Sequence, residues 1–442
     1  MTFFVVVYII YIMAFIRKIK KGNNIYLAEV ANYRENGKVK QKVIRYIGKE
    51  ENGEVVRRVR NDKVEVQEVK EYLDYKVLHT IAKRLGLTEV FGRYSKYILL
   101  MIYTQIVSKK SLYRLPEYIE RTALKELLGI DKIIDKNLYL AIDYLDEMDF
   151  NKVERMIYEK LSEGRSDKRC FVLDITDTYF SGSQAEWRAR RGKDNQYSKL
   201  IQIALAVSYN EGFPILHKVY EGNINNIKVF EDLMSEEGLR GLEVILLDRG
   251  MISYEAIKDI TNLGHRIICG LRINNKIKNK YISVIEREEI FQPEYLIELK
   301  NTTVYAKGFD FNGGQLIAIY NPEIEITKRM KAMTDKNTYN RDEAKFMGYS
   351  LIYHTTDFSI QEVIKRYYGK DVVEKAFREL KSSINLNPIR KYRIERVRSH
   401  IKICYLAYAM LSYIENKVKV KGISAVDAIE KLQSAYKVEL VA

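Results

Sequence analysis

From Lys168 onward the chain reads as a run of apolar strands, two of which carry a lone aspartate. That order limits the possible architectures more than any other feature. RCFVLDITDTYFSG is an apolar strand with Asp174 at its centre. LIQIALAVSYNEGFPILHKVYEG follows, with Asn210, Glu211 and Gly212 as the turn of a hairpin. IKVFEDLMSEEG has helical spacing, and EVILLDRG is a buried strand ending in Asp248. SYEAIKDITNLG is the next helix and HRIICGLR a further strand. An acid in a buried strand costs free energy unless it is paired, ligated or at an open strand end. An aspartate closing a strand before a helix, as Asp248 does, serves equally as a helix cap. Asp177, three residues beyond Asp174, points to the other face of a straight strand and is the alternative to it.

Three strands, helix, strand, helix, strand is the order of an α/β, ribonuclease-H-like core, a mixed sheet flanked by helices. Carboxylates from separate strands meet at the strand ends of such sheets. A third acid lies downstream in SIQEVIKRYYGKDVVEKAFRELKSSINLN, residues 359–387. There Ile360, Val363, Ile364 and Tyr367, then Val373, Phe377, Leu380 and Ile384, recur at helical spacing. The pattern predicts one amphipathic helix, capped by Asp357 or Ser359 and stopped by Pro388. Glu374, Arg378 and Lys381 share one of its faces. Taken alone, that is a solvated face with intrahelical ion pairs.

Those residues carry a resemblance. Tyr367, Lys370, Glu374 and Lys381, spaced Y-x2-K-x3-E-x6-K, resemble the Tyr-Arg-Glu-Lys signature of the IS4-type DDE transposases. VVEKAFRELKSSINLNPIR is similar to the IS1634 group of insertion-sequence transposases. Asp248 with Arg249, Gly250 and Met251 matches the family's Asp-Arg-Gly-Met block, and Asp174 matches its first aspartate. One position departs: the family's arginine is Lys370, which keeps the charge but loses the bidentate fork.

The resemblance, over about residues 13–415, implies that Asp174, Asp248 and Glu374 are catalytic and hold two Mg²⁺ ions, with Mn²⁺ able to substitute. One ion would be shared by Asp174 and Asp248, the other by Asp174 and Glu374. Two such ions about 3.5–4 Å apart activate the nucleophile and neutralise charge at the phosphorus. Oxygen ligands suffice, so no histidine or cysteine is required. Tyr367, Lys370, Arg378 and Lys381 would bind DNA. The implied reaction is cut-and-paste transposition: water cuts at the element's ends, and the freed 3′-hydroxyl attacks target DNA. The implied partners are double-stranded DNA, as terminal inverted repeats and target, and a second copy of the chain when DNA is bound. Tyr305, Phe309 and Phe311 are candidates to stack on a flipped base, though strand aromatics also fill cores. The only tryptophan, Trp187, lies outside the segment where relatives place such a residue.

The rest of the chain is organised around this core. Residues 1–12 form an apolar extension and 13–65 a small basic β module, with a hairpin signal at Asn36 and Gly37. Residues 66–166 read as a helical domain, which by resemblance binds the terminal repeats; a helical brace for the core fits the same pattern. The core occupies 167–272 and 348–415, interrupted by a β-rich insertion at 273–347. Residues 416–442 read as a C-terminal helix. A net charge of +15 favours a polyanionic partner, although ribosomal or membrane-surface binding would give the same excess. Three scattered cysteines read as buried thiols in a reducing compartment. The opening MTFFVVVYIIYIMAFI is short of the roughly 20 residues that span a bilayer. Its basic RKIKK follows the apolar run, unlike a signal peptide. The family-like sequence begins at Met13, so 1–12 is expected as an upstream translation extension, with a membrane anchor as the alternative. A cytoplasmic, nucleoid-associated protein without a membrane partner is expected. Two other functions stay open: a ribonuclease-H-like nuclease that does not transpose, and an inactive DNA-binding relic.

Overall fold

The computed structural model describes residues 14–441 apart from 36–37, 52–53, 57–64, 166–169, 180–188, 192–196, 223, 235, 237–242, 250, 253–256, 258–264, 301, 335–339, 387–388 and 390–392. The expected extension at 1–12, the turn at Asn36 and Gly37, Trp187 and the helix stop at Pro388 therefore lie outside the described residues. The chain forms two compact units, residues 1–69 with 438–442, and residues 70–437.

In the first unit β1 (Ala14–Lys21), β2 (Asn24–Glu35), β3 (Lys38–Glu51) and β4 (Glu54–Val56) pair in that order. All three pairings are antiparallel. Next comes β5 (Glu65–Glu71).

The second unit opens with helices. The longer ones are α1 (Leu73–Arg84), α2 (Ser95–Val107), α3 (Asp135–Glu147) and α4 (Phe150–Leu161). The sheet then begins with β6 (Cys170–Tyr179), the short β7 (Ala189–Arg191), β8 (Tyr197–Ser208) and β9 (Pro214–Glu221). Helix α5 (Asn226–Met234) leads to β10 (Val244–Leu247) and β11 (Arg266–Leu271). The crossover between those two strands is largely outside the described residues. β6 pairs antiparallel with β8 and β8 with β9, whereas β6, β10 and β11 run parallel. The spatial order β9-β8-β6-β10-β11 is the 3-2-1-4-5 layout of a ribonuclease-H-like sheet.

Residues 273–347, read in the sequence as an insertion, do not build a sheet of their own. β12 (Leu296–Glu298), β13 (Thr303–Phe311) and β14 (Gly314–Tyr320) continue the core sheet through β15 (Tyr349–His354), which pairs antiparallel with β11. The cause lies in β14, whose Leu316–Tyr320 run is buried and pairs with a strand on each side. Helix α6 (Pro322–Thr334) follows it.

The predicted single helix over 359–387 is two helices, α7 (Ile360–Tyr368) and α8 (Asp371–Ser382). They part at Gly369, where a Cβ would collide with the Tyr209 hydroxyl. Ser359 caps α7 by accepting a hydrogen bond from the Glu362 amide. Helix α9 (Ile394–Val418) is buried on all sides from Ile403 to Ser412, where its residues are apolar nearly all round. The tail expected as one helix is α10 (Ala425–Leu432) followed by β16 (Tyr436–Val441), which pairs with β5. The alternation of Tyr436, Val438 and Leu440 has the strand period of two.

The sheet separates two cores. On one face Val172, Leu246, Ile268 and Ile352 pack with the helical region and with α8 and α9, through Leu78, Ile98, Leu145, Phe377 and Leu406. On the other, Phe171, Leu173, Ile245, Leu247 and Ile267 meet Val229 and Phe230 of α5. Among the described residues no helix is long and apolar enough to cross a membrane.

Candidate active site

Strand register brings the first two acids together. β6 and β10 pair Leu173 with Leu247, so the next residues, Asp174 and Asp248, stand side by side. β10 and β11 pair Leu247 with Cys269, which sets Gly270 on the other flank of Asp248. Alternation turns all three toward the face of Val172, Leu246 and Ile268, where α8 packs. Asp177 has the opposite parity and falls on the other face. One carboxylate oxygen of Asp174 accepts the Ile175 amide at 2.7 Å.

Gly270 is the residue the sequence reading missed, and a glycine inside a buried strand was the available signal. A Cβ there would collide with the Tyr367 hydroxyl. Its absence lets α7 lay Tyr367 beside Asp248. Burial, and then the charge of Asp248, push the Tyr367 phenol well above its usual range, so it is a hydrogen-bond donor rather than an anion.

Lysines tie down both ends of α8. Lys370, at its N-terminal boundary, places its ammonium 3.2 Å from Asp248 Oδ1 and 5.1 Å from the centre of the Tyr367 ring. Lys381 donates to Thr176 Oγ1 at 2.6 Å and to the Asp177 carbonyl at 3.0 Å. Glu374 lies between these anchors, two turns before Lys381 on the same face, and is exposed. Arg378 is exposed too, at the rim of a neighbouring cavity lined by Asp371, Lys375 and Glu379. Two carboxylates with oxygen donors only suit a hard divalent cation. Among the described residues, however, no three acidic, histidine or cysteine side chains stand close enough to enclose one.

The aromatic candidates belong elsewhere. Tyr305 packs edge-on against Phe291, and Phe309 and Phe311 against Tyr281, all on the sheet face away from Asp174 and Asp248. They are half-buried and pack against the core on that face, with the buried Val304 and Ala306 at the opposite parity of β13, and this corrects the expectation that they stack on a base at the acids.

A second acid–base pair joins the helices to the sheet. Glu154 of α4 accepts from the His217 backbone at 2.8 Å and lies 2.7 Å from His217 Nδ1. The imidazole stacks on Tyr405 at 4.8 Å and meets Phe150 edge-on.

Comparison with known proteins gives one family. A model described as a transposase DDE domain matches residues 165–410, more than half of the chain. No curated protein matches it. Among solved structures the chain is similar to a piggyBac transposase synaptic complex with hairpin DNA, seen by cryo-EM. The identity is 13%, the coverage 82% of this chain and 78% of that one, and the TM-score 0.43.

Proposed function

The chain belongs to the transposase DDE-domain family, and on that premise we propose that it excises an insertion sequence and joins it to target DNA by cut-and-paste transposition. The observation that supports this reading most is the strand register that sets Asp248 beside Asp174 on the sheet face beneath α8. Asp174 and Asp248 would hold a divalent cation, Mg²⁺ by the chemistry of the donors, and Glu374 is the proposed third ligand. A pair of such ions, when bound, activates water or a 3′-hydroxyl and offsets charge at the phosphorus.

The remaining roles fall to the chain's own groups. Tyr367, held neutral, donates to a phosphate oxygen. Lys370 and Lys381 flank Glu374 and carry the positive charge that a DNA backbone seeks, with Arg378 on the exposed turn between them. A pair of DNA ends would call for a second copy of the chain.

The test is cleavage, in Mg²⁺, of a duplex carrying the element's ends. Glu374→Gln is expected to lose cleavage and to keep DNA binding; equal cleavage by both proteins would remove Glu374 from the chemistry. One observation favours a second reading, a DNA-binding relic. The Lys370 ammonium already pairs with Asp248, and among the described residues no three acidic, histidine or cysteine side chains are close enough to enclose a cation. On that reading the native chain binds the duplex and cuts nothing.

A further inference from the structure

Away from the carboxylates, a cavity of about 580 Å³ lies between the end of α2, the segment after it and the first turns of α9. Lys109, Lys110, Arg114, Arg396 and His400 line it with Asn385, and among the described residues no aspartate or glutamate does. Asp143 lies 3.2 Å from Arg396 Nε. His400 Nε2 lies 3.7 Å from Cys404 Sγ. Met101, Leu112, Leu115, Ile142 and Ile403 complete the walls, but the charged groups are all basic, which suits an anion rich in oxygen.

Its backbone is unusual as well. Among the described residues other than glycine, three have positive φ, and two of them, Lys109 at 52° and Asn385 at 58°, line this cavity. Such conformations cost free energy and collect at ligand sites. A hydrogen bond of 2.6 Å from Gln105 Nε2 to the Ile384 carbonyl ties the end of α2 to the segment leaving α8.

We infer that this cavity is a second DNA contact, one that grips a backbone phosphate of the duplex away from the reacting one. The inference rests on the proposed function for its ligand. Asn385 follows Glu374 by at most about 23 Å, eight residues at the helical rise to Ser382 and three at full extension, or about seven base steps. A duplex whose scissile phosphate sits at Asp174 and Asp248 can therefore place its backbone over the cavity. Lys110 and Arg114 are exposed at its mouth, where a phosphate would enter.

The experiment measures the salt dependence of binding to a fluorescein-labelled DNA duplex. Lys110→Gln with Arg114→Gln should flatten the slope of log affinity against log salt by about 0.9 for each cation removed. Lys110→Gln alone should show half that change, and circular dichroism would confirm that both variants fold. A slope equal to the native one in both variants would overturn the inference. So would a change confined to an RNA duplex of the same sequence. Cleavage by the native chain, measured alongside, reads the transposase proposal separately: a flattened slope without any native cleavage sinks that proposal and leaves the phosphate contact standing.

Discussion

Two acids in this molecule each meet a base, and their surroundings give them opposite uses. Glu154 is 3% exposed, and aromatic rings close over its histidine. The Asp248 side chain is 50% exposed and touches its lysine through one oxygen at 3.2 Å. Burial raises the Glu154 carboxyl above its usual range, against the pull of His217. Water screens the Asp248 pair instead, so little free energy holds Lys370 in place. A sealed pair fastens one layer to another. An open pair can be exchanged for a different cation or a phosphate.

The comparison breaks most readily at its sealed end. Glu154→Ala strands the buried His217 contacts and should destabilise the chain by about 3–5 kcal/mol, read as a lowered urea midpoint. A loss below about 1 kcal/mol would show the pair to be no firmer than one at the surface.

Asp74 sharpens the contrast, since it is fully buried and, among the described residues, has no basic partner and one carboxylate oxygen unbonded. Burial raises its pKa from 3.8 to about 6. The folded chain keeps this proton at a pH where the unfolded chain has lost it. Stability should therefore fall by at most about 3 kcal/mol as pH rises from about 4 to about 6, then level off. Asp74→Asn should flatten that decline in urea midpoints taken across the range; a decline of native size in the variant would place its origin elsewhere.

Gly270→Ala drives a methyl group into the Tyr367 hydroxyl and should cost about 1–3 kcal/mol. Adding Tyr367→Phe should return part of that loss, and additive losses in the double variant would disprove the contact. The smallest effect belongs to the open pair. Lys370→Gln should change unfolding free energy by about 1 kcal/mol or less while weakening duplex binding; a large drop in melting temperature would mean that Lys370 is structural.

The strand core was legible because its apolar runs are continuous and each lone aspartate interrupts or ends one. Register then needed only the parallel pairing of Leu173 with Leu247. What stayed hidden depends on residues far away in the chain. At the break between the helices Gly369 leaves no room for a side chain beside Tyr209, and the strand at Tyr436–Val441 pairs with the distant β5. Helical spacing put Glu374 and Lys381 on one face but could not show that Lys370 reaches Asp248. Aromatic composition suggested stacking at Tyr305, Phe309 and Phe311, yet only parity in the folded sheet decides which side they serve.

The continuity of the sheet through β15 has a consequence for engineering. A chain cut down by deleting 273–347 would bare the β15 flank now covered by β14, leaving Leu351 to His354 with unpaired amides and carbonyls beside apolar side chains. Such a margin recruits other strands. The shortened protein should therefore come out of solution as aggregates rather than as a minimal nuclease.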